Sequence, residues 1–92
     1  MYLNISTFSS IRMEKYIELS KEEIRLGFVS TCIESVAASL KQPYHEVFLR
    51  MKRVGMIRDY IYHCYEALHS DSLENVTAEL ISYLKKEEEY NE

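Results

Sequence analysis

Residues 20–40, SKEEIRLGFVSTCIESVAASL, decide the fold of this chain. Ser20 and Glu23 form a capping box, in which the serine hydroxyl accepts from the amide three residues later and the glutamate reaches back. Apolar residues then recur at spacings of three and four, the periodicity of one helical face: Ile24, Phe28, Val29, Cys32, Ile33, Val36, Ala37 and Leu40. The pattern predicts a helix of roughly 18 residues.

Two helix boundaries follow from single residues. Pro43 stops the first helix and suits the first turn of the second, because proline lacks the amide hydrogen that a helix interior needs. Gly55 follows the basic end of that second helix, where a left-handed residue is favoured. The other glycine, Gly27, lies inside the first helix, and we predict that it permits close approach of a neighbouring helix.

Two further helices complete the pattern. The third is predicted from about Met56 to His69, and its apolar side consists of Ile57, Tyr60, Ile61, Cys64 and Leu68. Residues 70–72 cap the fourth, with Asp71 and Glu74 at the capping-box spacing. The apolar side of this fourth helix consists of Leu73, Val76, Leu80, Ile81 and Leu84.

Composition limits the architecture. Ninety-two residues allow one domain, and two glycines with one proline are too few for a turn-rich sandwich or barrel. We predict an all-α fold, a compact four- to five-helix bundle with short connections over residues 20–88. Residues 1–19 form an N-terminal extension, either a weak helix or an extended arm, and residues 89–92 form a frayed tail.

The cellular compartment is predicted from the cysteines and the opening residues. Cys32 and Cys64 both lie in apolar helical stretches, where an unpaired cysteine packs as a small hydrophobe. The first residues have neither the basic nor the apolar region of a signal peptide, and no apolar run approaches the ~18 residues of a membrane span. We therefore expect a cytoplasmic protein with reduced thiols and no membrane partner.

The helical pattern resembles a known family through seven short segments: Phe28-Val29, Cys32-Ile33-Glu34, Glu46-Val47-Phe48, Gly55-Met56-Ile57, Tyr60-Ile61, Tyr65-Glu66-Ala67-Leu68-His69-Ser70 and Tyr83-Leu84-Lys85. Over residues 22–86 the chain resembles domain of unknown function family 3791, small all-helical bacterial proteins without assigned activity. It departs from that pattern at Gly27 and in its longer N-terminal extension. Members also occur beside genes for proteins that look like ADP-ribosyltransferase toxins. The resemblance thus implies an antitoxin-like or accessory protein that binds a neighbouring gene product.

No motif indicates a chemistry. Gly27 and Gly55 lie too far apart to form a phosphate-binding loop, and neighbouring His63 and Cys64 point about 100° apart on a helix, so they do not converge on one metal ion. Cys64 lies on the apolar side, whereas a nucleophilic thiol needs a cationic setting. We predict no catalytic residues, no cofactor and no metal, and we expect that the protein is not an enzyme.

Charge is distributed unevenly along the chain. Residues 41–58 carry +4 (five cations and one acid), whereas residues 59–92 carry −7 (two cations and nine acids). The cations Arg50, Arg53 and Arg58 bracket the turn at Gly55. A helix-turn-helix reader of DNA also has glycine in such a turn, but it carries its basic side chains on the second helix, whereas here they lie mainly at the end of the first. The second helix of that pair offers few further cations, and an acidic chain is disfavoured as a phosphate binder. DNA binding is therefore the alternative hypothesis.

Tyrosine is abundant, with eight residues and no tryptophan. Tyr62 and Tyr65 share a second side of the third helix, and His69, one turn beyond Tyr65, either caps that helix or joins an aromatic patch. Tyrosine combines a large contact area with few rotatable bonds, which is typical of protein interfaces.

We predict a non-enzymatic protein-interaction module. Tyr62, Tyr65 and His69 would form its contact patch, and Arg50, Arg53 and Arg58 would steer an acidic partner. The partner is another protein or a second copy of the chain in a homodimer. A transcriptional regulator that binds DNA through the turn at Gly55 is the alternative, and an uncharacterised enzyme is the second alternative.

Overall fold

The computed structural model describes residues 19–90, in which every regular element is a helix, so the predicted all-α bundle is confirmed. The elements are α1 (Lys21–Leu40), α2 (Tyr44–Arg53), a π-helix (Ile57–Tyr62), α3 (Tyr65–Leu68) and α4 (Leu73–Tyr90). The first of them, α1, lies at the centre and contacts α2, the π-helix and α4. None of the described helices is long and apolar enough to cross a membrane. Of the predicted N-terminal extension, only Leu19 falls within the described residues.

The start of α1 is the predicted capping box. The Glu23 amide donates to the Ser20 hydroxyl at 3.1 Å, and the Ser20 amide donates to the Glu23 carboxylate at 2.9 Å. The helix ends at Lys41, which adopts the left-handed conformation with φ 56°. The predicted apolar face is buried from Val29 to Ala37, whereas Ile24, near the start, is exposed and Leu40, at the end, is half-buried. The N-terminal turns of α1 therefore project beyond the core.

The core gathers apolar side chains from every helix. Full burial of an aliphatic side chain contributes roughly 1.5–3 kcal/mol to stability, so these residues supply most of the driving force for folding. The largest side chains that are fully buried are Ile33, Met51, Met56, Ile61, Leu80 and Leu84.

Pro43 and Gly55 occupy the two predicted boundaries. Pro43 caps α2 in an extended conformation, and its carbonyl accepts the first backbone hydrogen bonds of that helix. Gly55 has φ 76°, the left-handed conformation that glycine adopts without steric cost. The prediction for Gly27 is wrong for the part of the chain that the structure describes: a Cβ added there would meet no atom of residues 19–90 within 4 Å, so none of the described helices approaches it closely.

The third helix differs from the prediction of one α-helix over residues 56–69. It is divided into the π-helix, a turn and the single turn of α3. The His63 amide donates to the Arg58 carbonyl, five residues back, at 3.2 Å. Residues five apart diverge by about 140° on an α-helix but share one side of a π-helix. Met56 and Ile61 are both completely buried because of this wider turn.

The side chain that caps the start of α4 belongs to Ser72, one residue after Asp71, which the prediction paired with Glu74. The Ser72 hydroxyl accepts from the Asn75 amide at 3.1 Å, and the Asp71 carboxylate accepts from the Ser72 amide at 2.7 Å. The helix continues through Tyr90, past the boundary at residue 88 where we expected the frayed tail to begin. Residues 91 and 92 lie outside the described residues.

A pair of hydroxyl groups joins α1 to α4. The buried Thr77 hydroxyl donates to the Leu73 carbonyl at 2.6 Å, and the Ser35 hydroxyl lies 2.6 Å from the same Thr77 oxygen. A hydroxyl carries one proton, and Thr77 uses its proton within its own helix. Ser35 is therefore the donor across the helix interface.

Candidate functional site

The predicted aromatic patch is half covered by its own chain. Tyr65 packs edge-on against Phe28 of α1, with ring centroids 5.3 Å apart, and stacks on His69 at 4.3 Å. His69 Nδ1 lies 3.0 Å from the Tyr65 carbonyl, which places the imidazole at the end of α3 as a cap. Tyr65 is therefore half-buried and holds α3 against α1, whereas His69 stacks on Tyr65 and remains exposed.

Arg25 of α1, which is not among the predicted site residues, lies over this patch. Its guanidinium carbon is 5.5 Å from the centre of the Tyr62 ring and 5.3 Å from that of Tyr65. Its Nη1 donates to the Tyr62 carbonyl at 3.2 Å, and its Nη2 lies 3.7 Å from the exposed Glu66 carboxylate. Two rings and a carbonyl thus orient the guanidinium, which combines cation–π attraction with a hydrogen bond.

The predicted basic rim is corrected at Arg50. Arg50 donates from Nε and Nη2 to the two carboxylate oxygens of Glu88, each at 2.7 Å, and from Nη1 to Gln42 at 2.9 Å. The hydrogen bonds from Arg50 hold the pKa of the Glu88 carboxyl below its usual range. Arg50 therefore links α2 to the end of α4, and its guanidinium is engaged within the chain. Arg53 and Arg58 are both exposed.

Tyr60 fixes the π-helix from its opposite side. Its ring stacks on Tyr83 of α4 with centroids 4.3 Å apart and planes inclined by 18°. Burial, reinforced by nearby acidic side chains, raises the pKa of both phenols. Together with the fully buried Ile61, this stack anchors the π-helix between α1 and α4.

An apolar groove opens between α1 and the π-helix. We name it the Arg58 groove; it has a volume of about 430 Å³, and its lining consists of Leu26, Val29, Ile57, Arg58 and Tyr62. Leu26 is 57% exposed, although it is a large aliphatic residue. Ile57 and Tyr62 are five residues apart, so the wider turn of the π-helix brings both to one side. π-Helical turns occur frequently at functional sites, and here the turn builds the groove wall.

Two cavities adjoin this groove, and Arg58 lines all three. The first, which we name the Arg25 notch, has a volume of about 400 Å³ and is lined by Arg25, Arg58, Asp59, Tyr62 and His63. The second extends toward the turn between α2 and the π-helix, with a volume of about 500 Å³, and is lined by Phe48, Lys52, Gly55, Ile57, Arg58 and Asp59. The result is one continuous surface with an apolar centre and cations at its edge.

The cations at this edge are available to a ligand. Arg58 and Lys52 are exposed and make no ion pair within residues 19–90. Tyr62, the one aromatic member of the predicted patch that lines the groove, is half-buried. Of the six predicted binding residues, Tyr62 and Arg58 therefore lie together at the groove. Tyr65, His69 and Arg50 make contacts within the chain. Arg53 does not line the groove.

Sequence reasoning missed Leu26, Val29 and Arg25 as site residues. Two signals were available. Leu26 lies off the apolar face of α1 and is therefore an exposed aliphatic residue, and Ile57 and Tyr62 share a spacing of five that an α-helix would not align. Arg25 carries no comparable local signal, because its ring contacts arise only when α1 meets residues 62–65.

Reactive and metal-binding groups are sparse in the described part of the chain. No three His, Cys, Asp or Glu side chains there converge as metal ligands would. Cys32 is completely buried, and burial raises the pKa of its thiol to about 11, whereas Cys64 is half-buried. The groove itself is lined mostly by apolar atoms, which suits contact with a partner better than acid–base chemistry.

Comparison with known proteins assigns the family. Residues 27–87 match the family described as a protein of unknown function, DUF3791. The chain belongs to this family. The DUF3791 match confirms the resemblance found in the sequence, and it includes Val29, Ile57, Arg58 and Tyr62 of the groove but begins after Leu26. No curated protein and no solved structure matches the chain.

Proposed function

We propose that this DUF3791 chain is a non-enzymatic protein-interaction module whose binding surface is the Arg58 groove. The observation that carries the proposal is the juxtaposition of an exposed Leu26, a half-buried Tyr62 and an Arg58 that makes no ion pair among residues 19–90, around one open apolar groove. Tyrosine and arginine are enriched at protein interfaces, where each combines apolar contact with hydrogen bonding. A small-molecule site would enclose its ligand more completely than this open groove does.

The partner is a protein with a negatively charged segment that also exposes an apolar side chain. Apolar lining in the groove matches the apolar side chain, and Lys52 and Arg58 at the edge match the negative charge. Such complementarity chiefly accelerates association and selects among partners. Steering by exposed charges is screened over about 10 Å at 0.1 M salt, so binding should weaken as salt is raised.

The antitoxin-like or accessory role is one form of this proposal. In that form, the partner is the product of the neighbouring gene, and the chain restrains it by occlusion. Self-association is the other form of protein contact that we considered. It is less favoured because α4, the acidic helix of a second copy, buries its central apolar residues (Val76, Leu80 and Leu84) in its own core.

DNA binding receives less support from the geometry. A helix-turn-helix reader inserts a continuous recognition helix into the major groove. The element that follows Gly55 is instead a six-residue π-helix, a turn and a four-residue α3. Arg50, one of the cations beside the turn at Gly55, is bound to Glu88. An enzymatic role has no converging polar groups in the groove to support it.

The proposal is tested by co-expression with the product of the adjacent gene. We expect the two proteins to copurify, and we expect Leu26→Glu to weaken the complex at least tenfold, because it places a charge in the apolar groove. Leu49→Glu is the matched control, since Leu49 is an exposed leucine of α2 that lies outside the groove lining. Circular dichroism checks that both variants keep their helices.

Other outcomes would count against the proposal. Equal weakening by both variants would remove the groove from the interface. A concentration-dependent dimer that Leu26→Glu dissolves would make a second copy the occupant. Salt-sensitive retardation of the chain's own promoter DNA, lost in Arg58→Gln but not in Leu26→Glu, would favour the transcriptional regulator.

A further inference from the structure

Two arginines from different helices line the notch beside the groove. Arg25 reaches the Arg25 notch from α1 and Arg58 reaches it from the π-helix, and Tyr62 lines both this notch and the Arg58 groove. Tyr62 and Arg58 are therefore shared by the mainly apolar groove and the more polar notch. Carboxylates are the protein groups that best match guanidinium, because two parallel hydrogen bonds form.

Arg25 is already oriented before any ligand binds. Its contacts with the Tyr62 carbonyl and with the rings of Tyr62 and Tyr65 restrict its rotamers, although 29% of the side chain remains exposed. Its ion-pair partner Glu66 is at the longer distance of 3.7 Å and is 78% exposed. A carboxylate that enters the notch therefore displaces only a weak, solvated pairing.

Asp59 also lines the notch, and it forms no ion pair with Arg25 or Arg58 among the described residues. Asp59 Oδ2 lies 3.5 Å from the position that a Cβ on Gly55 would occupy, so the carboxylate leans toward the α2 turn. Arg58 forms no ion pair with it within residues 19–90. The two guanidinium groups thus remain the cations that face an incoming anion.

We propose that the notch and the groove together recognise an apolar side chain with a carboxylate beside it, on the partner's acidic segment. The inference rests on the proposed function and specifies its chemistry. The apolar side chain enters the Arg58 groove against Leu26 and Ile57, and the carboxylate lies between Arg58 and Arg25. A free inorganic anion would use only the notch, whereas the partner segment uses both compartments.

The test compares two small probes that differ in charge alone. N-acetyl-leucine presents an isobutyl group beside a carboxylate, and N-acetyl-leucinamide presents the same group beside a neutral amide. In ¹H–¹⁵N spectra of the full chain, we expect N-acetyl-leucine to shift the amides of residues 26, 57, 58 and 62 saturably. Its dissociation constant should be in the millimolar range, on the order of 1–10 mM, as expected for one side chain. N-acetyl-leucinamide should bind about fivefold more weakly, because it lacks the charge-assisted hydrogen bonds.

Arg58→Gln should reduce the difference between the two probes, because it removes one of the two guanidinium groups of the notch; Arg58 is exposed and makes no ion pair within residues 19–90, so the substitution leaves the fold intact. Arg53→Gln is the matched control and should preserve the difference, because Arg53 lines neither cavity.

Each remaining outcome contradicts a distinct part of the inference. Equal binding of both probes in the groove overturns the carboxylate site and leaves the protein-interaction surface intact. Inorganic phosphate that shifts the same residues as strongly as N-acetyl-leucine overturns the two-compartment recognition and reduces the notch to a general anion site. If neither probe shifts groove residues while Leu26→Glu still weakens the partner complex, the partner's chemistry is not the one inferred.

Discussion

The ion pair between Arg50 and Glu88 provides the sharpest test of how the bundle is held together. It is the described contact that joins α2 to the last turns of α4 through two hydrogen bonds, both 2.7 Å long. Glu88→Gln keeps the shape of the side chain and removes its charge. Arg50→Gln and the double variant complete a cycle that isolates the pairwise energy.

The magnitude follows from geometry and exposure. The side chains are only 23% and 28% exposed, so the pair is screened less than a surface pair worth about 0.2–1 kcal/mol. Two charge-assisted hydrogen bonds raise the expected coupling energy to about 1–1.5 kcal/mol. In a domain of this size, 1 kcal/mol corresponds to roughly 4–8 °C in Tm, so Glu88→Gln should lower Tm by about 5–10 °C.

The pH dependence of this coupling has a definite sign. The Arg50 hydrogen bonds lower the pKa of Glu88 in the folded state, so the pair stabilises fully above the unfolded-state pKa of about 4.3. The contribution is lost as pH falls through the lower folded-state pKa. Arg50 stays protonated throughout this range. The Tm gap between the wild type and Glu88→Gln should be constant from pH 7 to pH 6 and shrink below about pH 4.

Thermal unfolding followed by circular dichroism at 222 nm measures all four members of the cycle. A coupling energy below about 0.3 kcal/mol, or a Tm gap that grows as pH falls, would refute this reasoning. Arg53→Gln is the matched control, since the Arg53 charge acts on Glu88 through space but Arg53 donates no hydrogen bond to it. Arg50→Gln should also leave the affinity for the partner unchanged, whereas Arg58→Gln should lower it.

Four further predictions concern individual residues. Gly27→Ala should raise the free energy of unfolding by about 0.5–1 kcal/mol, because its Cβ meets open space within a helix. Gly55→Ala should lower the free energy of unfolding by about 1–2 kcal/mol, because Gly55 has a left-handed φ of 76°. Chemical denaturation measures the effects of the two glycine substitutions. Equal effects would contradict the assignment of Gly27 to a helix and of Gly55 to the left-handed conformation. Thr77→Val should lower the free energy of unfolding by about 1 kcal/mol, because the Thr77 hydroxyl makes two hydrogen bonds of 2.6 Å, one to the Leu73 carbonyl within α4 and one to Ser35 of α1. An unchanged denaturation midpoint would refute their contribution. In native protein at pH 8, a disulfide reagent should modify Cys64 and spare Cys32, whose thiol pKa of about 11 leaves little thiolate; rapid modification of two equivalents would contradict the burial of Cys32.

Local sequence determined the helix boundaries because their signals act over three or four residues. The Ser20–Glu23 capping box, the missing amide hydrogen of Pro43 and the left-handed Gly55 depend on nothing beyond their own turns. The apolar periodicity of α1 likewise predicted which face is buried from Val29 to Ala37. These features made the helical bundle predictable from the residues alone.

Tertiary structure decided the shape of the third helix. An α-helix would have separated Met56 from Ile61 and Ile57 from Tyr62, and its local hydrogen bonds would have been as good. Packing against α1 and α4 favours the wider turn, because it buries one pair in the core and brings the other to the groove. No local sequence signal indicates that a π-helical turn is favoured at residues 57–62, so the groove could not be predicted from the sequence.

Long-range contacts also decided which of the three arginines forms an ion pair. By sequence, Arg50, Arg53 and Arg58 are equivalent cations around one turn. Only the folded chain places Glu88, 38 positions away, within 2.7 Å of Arg50 and leaves Arg58 without an ion pair among the described residues, beside an apolar groove. The sequence by itself determined that this protein is a helical bundle with a basic turn. The approach of α4 to α2 decided which of these cations holds the fold together and which lies exposed at the groove, because it brings Glu88 to Arg50 and not to Arg58.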